Sequence, residues 1–154
     1  MRALGIDYGR RRIGLALSDA TGLLARPWKT LHATGAPARI SALLAAEITA
    51  LAAEPDGLVA VAVGYPRRLN GDPTDQTPIV EQIVDRLREA VALPVVLQDE
   101  RLSSREAESL LARREKDWRK RKLVLDAAAV AIILQDYLDG QARPYQAPSE
   151  EDEA

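Results

Sequence analysis

The chain has 154 residues, enough for one domain with its own core, and 47% of them are hydrophobic, mostly Ala, Leu and Val with no Phe. It has no Cys and one His, which excludes disulfides, zinc ribbons and thiol catalysis and leaves little material for a Ser-His-Asp arrangement. The net charge of −2 conceals a segregation: the C-terminal SEEDEA holds four acids and no base, whereas RREKDWRKRK (Arg113–Lys122) holds seven bases and two acids, a pattern that suits either an anionic partner on one face or a solvated helix end.

RALGIDYG reads as a strand with its acid, Asp7, at the C-terminal end, and RIGLALSD follows as a hairpin partner with Ile13, Leu15 and Leu17 apolar. LLARPWKTLHA is a third strand in which Pro27 forces an edge or a bulge. Pro37 opens a helix to about Glu54, with Ile40, Leu43, Leu44, Ile48 and Leu51 on one face. GLVAVAVGYP is a continuous apolar run, the pattern of a strand buried on both faces. RRLNGDPTDQTP is dense in turn residues and long for a strand-to-helix connection, as functional loops often are. Ile79, Ile83, Leu87 and Val91 mark a second helix, and LPVVLQDE a short strand ending in acids. In SSREAESLLARR, Ser103 stands three residues before Glu106, a capping box that predicts another helix. The last helix runs from about Leu123 to Leu138 and stops at Gly140. After Pro144 the acidic segment reads as disordered. Three strands followed by alternating strands and helices predict an α/β domain: a mixed five-stranded sheet with helices on both faces, spanning residues 1–140, with an acidic tail at 141–154. No apolar run approaches the roughly 20 residues of a membrane span, and MRALGIDYG lacks the features of a signal peptide. The expectation is a cytoplasmic protein with no membrane partner.

Sites in such sheets gather at the carboxyl ends of the strands. Asp7 ends the first strand there, Asp99 and Glu100 end the last, and Asp126 lies one turn into the C-terminal helix amid small and apolar residues. A buried carboxylate is costly without a partner, so Asp126 is either a ligand, a salt-bridge partner of a nearby arginine, or an acid favoured by the helix dipole. Three convergent acids without His or Cys form a hard oxygen site suited to Mg²⁺ or Mn²⁺, with two ions and bound substrate completing the shell. Arg10, Arg11, Arg12, Arg67, Arg68 and Arg101 would ring it, and the basic Arg113–Lys122 run would extend it along a polyanion. Gly9 lets the chain turn sharply after Asp7.

Four segments resemble the YqgF family, itself similar to the RuvC Holliday-junction resolvases and described as a pre-16S rRNA nuclease: GIDYGRRRIGLALSD, VGYPRRLNGDPTDQT, VVLQDERLSSREAE and KLVLDAAAVAIILQDYL. They run in the family's order over about residues 1–138. The resemblance implies an RNase H-like three-layer fold and metal-dependent phosphodiester hydrolysis. Its acidic triad falls on Asp7, Glu100 and Asp126 as catalytic and metal-binding residues, with Asp7 bridging the ions. Strand alternation sends Asp99 to the opposite face from Glu100. Nucleic-acid contacts are expected from Arg10, Arg11, Arg12, Arg67, Arg68, Arg101, Arg105, Arg114, Lys116, Arg119, Lys120 and Arg121. The chain departs from the wider resolvase pattern twice. Gly64, Tyr65 and Pro66 stand where the resolvases place a second acid, and Ala129 stands where they tend to place a fourth carboxylate. A three-acid site is left, in which the second ion depends on substrate.

The substrate classes implied are structured RNA, such as ribosomal RNA precursor, and branched DNA. Junction cleavage would require a homodimer that places two sites on opposed strands. Two rival readings use the same residues. Actin-like and sugar-kinase ATPases open with a similar strand, Asp and glycine turn, but need two facing domains, and the chain has no GxxxxGK[ST] loop. A nucleic-acid-binding module without catalysis would use the same basic patches, yet acids on a phosphate path repel nucleic acid unless a cation neutralises them. The remaining polar residues read as structural: His32 on an edge strand, Asp19 and Asp72 in turns, and Ser103 and Ser104 as caps. Trp118 covers a loop or stacks on a base.

Overall fold

The strand RALGIDY becomes the middle of the sheet because it is apolar on both sides, and every other element is arranged around it. In the computed structural model, which describes residues 1–100 and 118–142, the order is β1 (Arg2–Tyr8), β2 (Ile13–Ser18), β3 (Ala25–Leu31), α1 (Pro37–Ala53), β4 (Leu58–Tyr65), α2 (Thr77–Ala90), β5 (Val95–Asp99) and α3 (Trp118–Ala142). The five strands lie in the order β3-β2-β1-β4-β5. β1 pairs antiparallel with β2 and parallel with β4, β2 pairs antiparallel with β3, and β4 pairs parallel with β5. This is the mixed five-stranded sheet expected from the sequence. Pro27 lies on the edge strand opposite Ala16, where the register also slips, so the edge and the irregularity occur together.

Alternation divides the sheet into two unlike faces. Leu4, Ile6, Ile13, Leu15, Val61, Val63 and Val95 point to one side, where they pack with Ile40, Leu44, Ile48 and Leu51 of α1 and Val80, Ile83, Val84 and Leu87 of α2. Ala3, Ala16 and Ala62 point to the other and meet Val130, Leu134 and Leu138 of α3. The second layer is built of small residues, so α3 comes very close. A Cβ at Gly5 would lie 2.8 Å from Leu134 Cβ and 3.4 Å from the Val130 carbonyl oxygen.

Two expectations about helices are corrected. Leu43, placed on the buried face of α1, is 40% exposed, and Ser41 is buried in its stead. The helical period over-collects residues at the border of an apolar stripe. The last helix neither starts at Leu123 nor stops at Gly140: it spans Trp118–Ala142. A single glycine inside a helix costs only about 1 kcal/mol and does not end it. The capping-box helix at 103–114 and the acidic tail at 143–154 lie outside the described residues. Among the described residues no helix is long and apolar enough to cross a membrane.

Gly5→Ala should destabilise the fold by about 1–3 kcal/mol through overpacking against α3. Gly140→Ala, with nothing within 4 Å of its added methyl, should be neutral or stabilising by up to about 1 kcal/mol. Urea denaturation of the two variants beside the parent protein checks both signs.

Candidate active site

β1 delivers Asp7 to its carboxyl end on the α3 face, one step past Ile6, which points the other way. The ladder sets Asp7 opposite Gly14, and Gly14 opposite Thr30. The chain turns back at once after Tyr8. A Cβ at Gly9 would stand 2.6 Å from the Arg12 carbonyl oxygen, so only glycine fits this turn. The turn sets Arg10, Arg11 and Arg12 around a cleft of about 410 Å³ that Asp7 also lines.

Glu100 comes from the far side of β4. Its N–H donates to the Tyr65 carbonyl at 3.4 Å, carrying the β4–β5 pairing one residue past the strand. Alternation then puts Glu100 on the α3 face with Val96, while Asp99, opposite Tyr65, points towards α2. The two carboxyl groups are adjacent, near enough for a hydrogen bond between them to favour the protonated form of Glu100. Between their strands lies Gly64, where a Cβ would overlap the Glu100 carboxylate and stand 3.0 Å from Ile133 Cδ1. Gly64 is thus the space that Glu100 occupies.

Asp126 sits in α3 two turns beyond Trp118. It is not in the first turn, so the helix dipole does not account for it. Its side chain lies outside the described residues, and among the described residues no third acid or histidine completes a cluster with Asp7 and Glu100.

The cations divide into three groups. Arg10, Arg11 and Arg12 line the cleft beside Asp7. Arg67 and Arg68 line a second, contiguous cleft of about 430 Å³ beside Glu100, which shares Arg10 and Gln76 with the first. Arg10 also bridges to Asp75 at 3.5 Å, both side chains being exposed. Arg101, Arg105, Arg114 and Lys116 lie outside the described residues. Arg119, Lys120 and Arg121 occupy the first turns of α3, and only their backbone is described.

Sequence reasoning missed Thr30, His32 and Gln76, all of which line the cleft with Asp7. His32 follows the last residue of β3, and the pairing Gly14–Thr30 brings that strand end beside Asp7. Only the register could have revealed this. Asp19 and Asp72 are turn residues as expected. The Asp19 carboxylate accepts from Thr21 Oγ1 and from the Leu23 and Leu24 N–H groups, and these bonds, the Thr21 one foremost, hold it below the usual carboxylate range. Asp72 accepts from the Asn70 side chain.

Burial pushes the Glu100 carboxyl up from 4.5 to about 8, with the adjacent Asp7 charge, its hydrogen bond and the Asp99 charge acting in the same direction. Without a cation Glu100 therefore keeps its proton at neutral pH. A raised carboxyl pKa gives stability that is intact below 4.5 and is lost as pH climbs through about 8. In EDTA, Glu100→Gln keeps the neutral donor and should raise Tm at pH 9 by roughly 5 °C, with little change at pH 5. Equal shifts at both pH values in scanning calorimetry would show that charging Glu100 is not the cost.

Residues 1–140 match the family described as RuvX: Holliday junction resolvase. A Nocardioides protein named "Putative pre-16S rRNA nuclease" is 40% identical over 151 residues, covering 96% of this chain and 93% of that one. A protein of the same name from Roseiflexus is 36% identical over 144 residues, covering 91% of this chain and 95% of its own. Among solved structures, T. thermophilus RuvC in complex with Holliday junction substrate superposes with a TM-score of 0.52 at 16% identity, covering 93% of this chain and 96% of that one, and shows the same fold. The chain belongs to the RuvX Holliday junction resolvase family.

Proposed function

We propose that the protein is a divalent-metal-dependent nuclease that hydrolyses phosphodiester bonds in structured RNA, with residues 1–140 as the catalytic domain and 141–154 as an acidic extension. The observation that carries this reading is the Asp7–Glu100 carboxyl pair, forced together at the meeting of two arginine-lined clefts. RNA is favoured by the relatives that share over a third of their residues with this chain and are named for pre-16S rRNA. Four-way DNA junctions are the competing substrate, and a two-fold dimer would be needed for them.

The acid pair fits a cation. Two carboxyl groups close enough to share a proton repel once both are charged, and an Mg²⁺ or Mn²⁺ ion relieves that repulsion. Asp7 and Glu100 would hold the ion, joined by Asp126 from the helix position one turn before Val130. Bound divalent ions supply a water made acidic enough to attack and a counter-charge for the leaving oxygen. The rest is done by the chain itself. Glu100 gives up its proton to the solvent as the site fills, so occupancy rises with pH. Arg10, Arg11 and Arg12 receive phosphates on one side of the pair and Arg67 and Arg68 on the other. Hydrolysis joins the water oxygen to phosphorus, breaks one phosphorus–oxygen ester bond, and passes the water proton through solvent to the departing oxygen.

Asp7→Asn removes the central charge and should lower cleavage at least 100-fold while leaving nucleic-acid binding intact or tighter. Labelled structured RNA and four-way DNA junctions, incubated with Mn²⁺ or Mg²⁺ beside an EDTA control, test this. Full activity in the variant would overturn the site, whereas binding without cutting by the parent protein would favour a binding module of the same fold.

A further inference from the structure

Two arginines of the cleft beside Glu100, Arg10 and Arg67, are held in different ways. Arg10 is paired with an acid: its guanidinium lies 3.5 Å from Asp75. A phosphate must displace that carboxylate, or share the guanidinium with it, before it can bind. Arg67 is held by a neutral ring. Its guanidinium carbon lies 4.6 Å from the centroid of Tyr65, the last residue of β4. The ring is in turn fixed from behind, because the Tyr65 hydroxyl donates to Glu81 Oε1 of α2 at 3.0 Å.

The backbone around Arg67 is equally determined. Arg67 pairs with Pro73 in an isolated bridge. The Arg68 N–H donates to the Asp72 carbonyl at 2.8 Å, and the Thr77 hydroxyl donates to the Pro66 carbonyl at 2.5 Å. Both ends of the loop after β4 are thus tied down, and Arg67 projects from it into the cleft that Glu100 lines. A surface arginine ordinarily loses much rotamer freedom when it grips a phosphate. Stacking on an aromatic face removes most of that freedom beforehand, yet leaves the guanidinium edge and its N–H donors open to an anion.

We infer that Tyr65 is a positioning residue that holds Arg67 against its ring, ready to take a phosphate of the substrate strand beside Glu100. The inference rests on the phosphodiester reading above and adds to it a specific contact, the Tyr65 ring beneath Arg67, with the bond to Glu81 as a minor support. Tyr65 touches no substrate. It acts on how often Arg67 is in place, so its removal weakens substrate capture without slowing the chemical step.

The test is a double-mutant cycle on the full chain, read by anisotropy with labelled structured RNA in Ca²⁺ and by cleavage kinetics in Mn²⁺. Tyr65→Leu should weaken binding about two- to five-fold, the range of an exposed cation–π contact, raising KM with kcat unchanged. Tyr65→Phe retains the ring and should restore most of that loss. Arg67→Ala should weaken binding at least as much and reduce the slope of log affinity against log salt by about one. In the Arg67→Ala background, Tyr65→Leu should add nothing. An equal loss from Tyr65→Leu with Arg67 present or absent would overturn the inference, as would a fall in kcat alone or a Phe variant as weak as the Leu variant. Failure of the parent protein to bind either RNA or DNA would overturn the phosphodiester reading, and this inference with it.

Discussion

The site depends on how closely α3 can approach the sheet. Ala3, Gly5, Gly14, Ala16, Ala62 and Gly64 all face α3, so β1, β2 and β4 put no branched apolar or aromatic side chain under the helix, and the branched residue on this face, Val96, comes from β5. At Gly5 the approach leaves no room even for a methyl group. The opposite face is filled by Leu, Ile and Val and supplies most of the buried apolar volume. One face thus provides stability while the other is kept thin. That thinness is what the alanines and glycines of this face provide: the second layer needs area but very little height. It also brings the helix that carries Asp126 across the strand ends that carry Asp7 and Glu100.

The same thin face lets the two carboxyl groups meet. Asp7 and Glu100 come from β1 and from just past β5, strands separated by β4, and would normally be kept apart by whatever projects from β4 between them. The residue there is Gly64, and its missing side chain is the space in which the Glu100 carboxylate lies. The resulting pair is unfavourable for the metal-free fold, since burial and mutual charge both resist ionisation. Such a cost is retained where a cation or a substrate later offsets it.

Much of this was legible in the sequence because it follows from periodicity and punctuation. The β1–β2 hairpin, the buried β4 run, the irregularity at Pro27 and the turn at Gly9 each come from local chemistry that nothing distant overrides. Alternation alone separated Glu100 from Asp99. What stayed hidden depends on strand register and loop path, which periodicity along one element does not set. His32 reads as an ordinary edge residue until Gly14 and Thr30 are known to pair. The stack of Arg67 on Tyr65 requires the path of the loop after β4, which is set by the bridge to Pro73 and the bond from Thr77 to Pro66. Leu43 and the start of α3 were misjudged for a simpler reason: helical propensity and period identify a helix better than its exposed border or its ends.

The topology explains why the cationic residues gather where they do. Parallel pairing of β1, β4 and β5 brings three strand ends to one edge of the sheet, and the two antiparallel reversals of β2 and β3 return the end of β3 to that edge as well. The turn after β1, the loop after β4, the residue after β5 and the residue after β3 therefore border one continuous depression. The arginines on the turn after β1 and the loop after β4 can vary without disturbing the core, because loops at a sheet edge do not carry the packing. The acids are fixed by the strands, and the arginines are supplied by the loops. Changes in loop sequence would therefore alter which polyanion is held, whereas changes on the glycine and alanine face would alter whether any acid site forms at all.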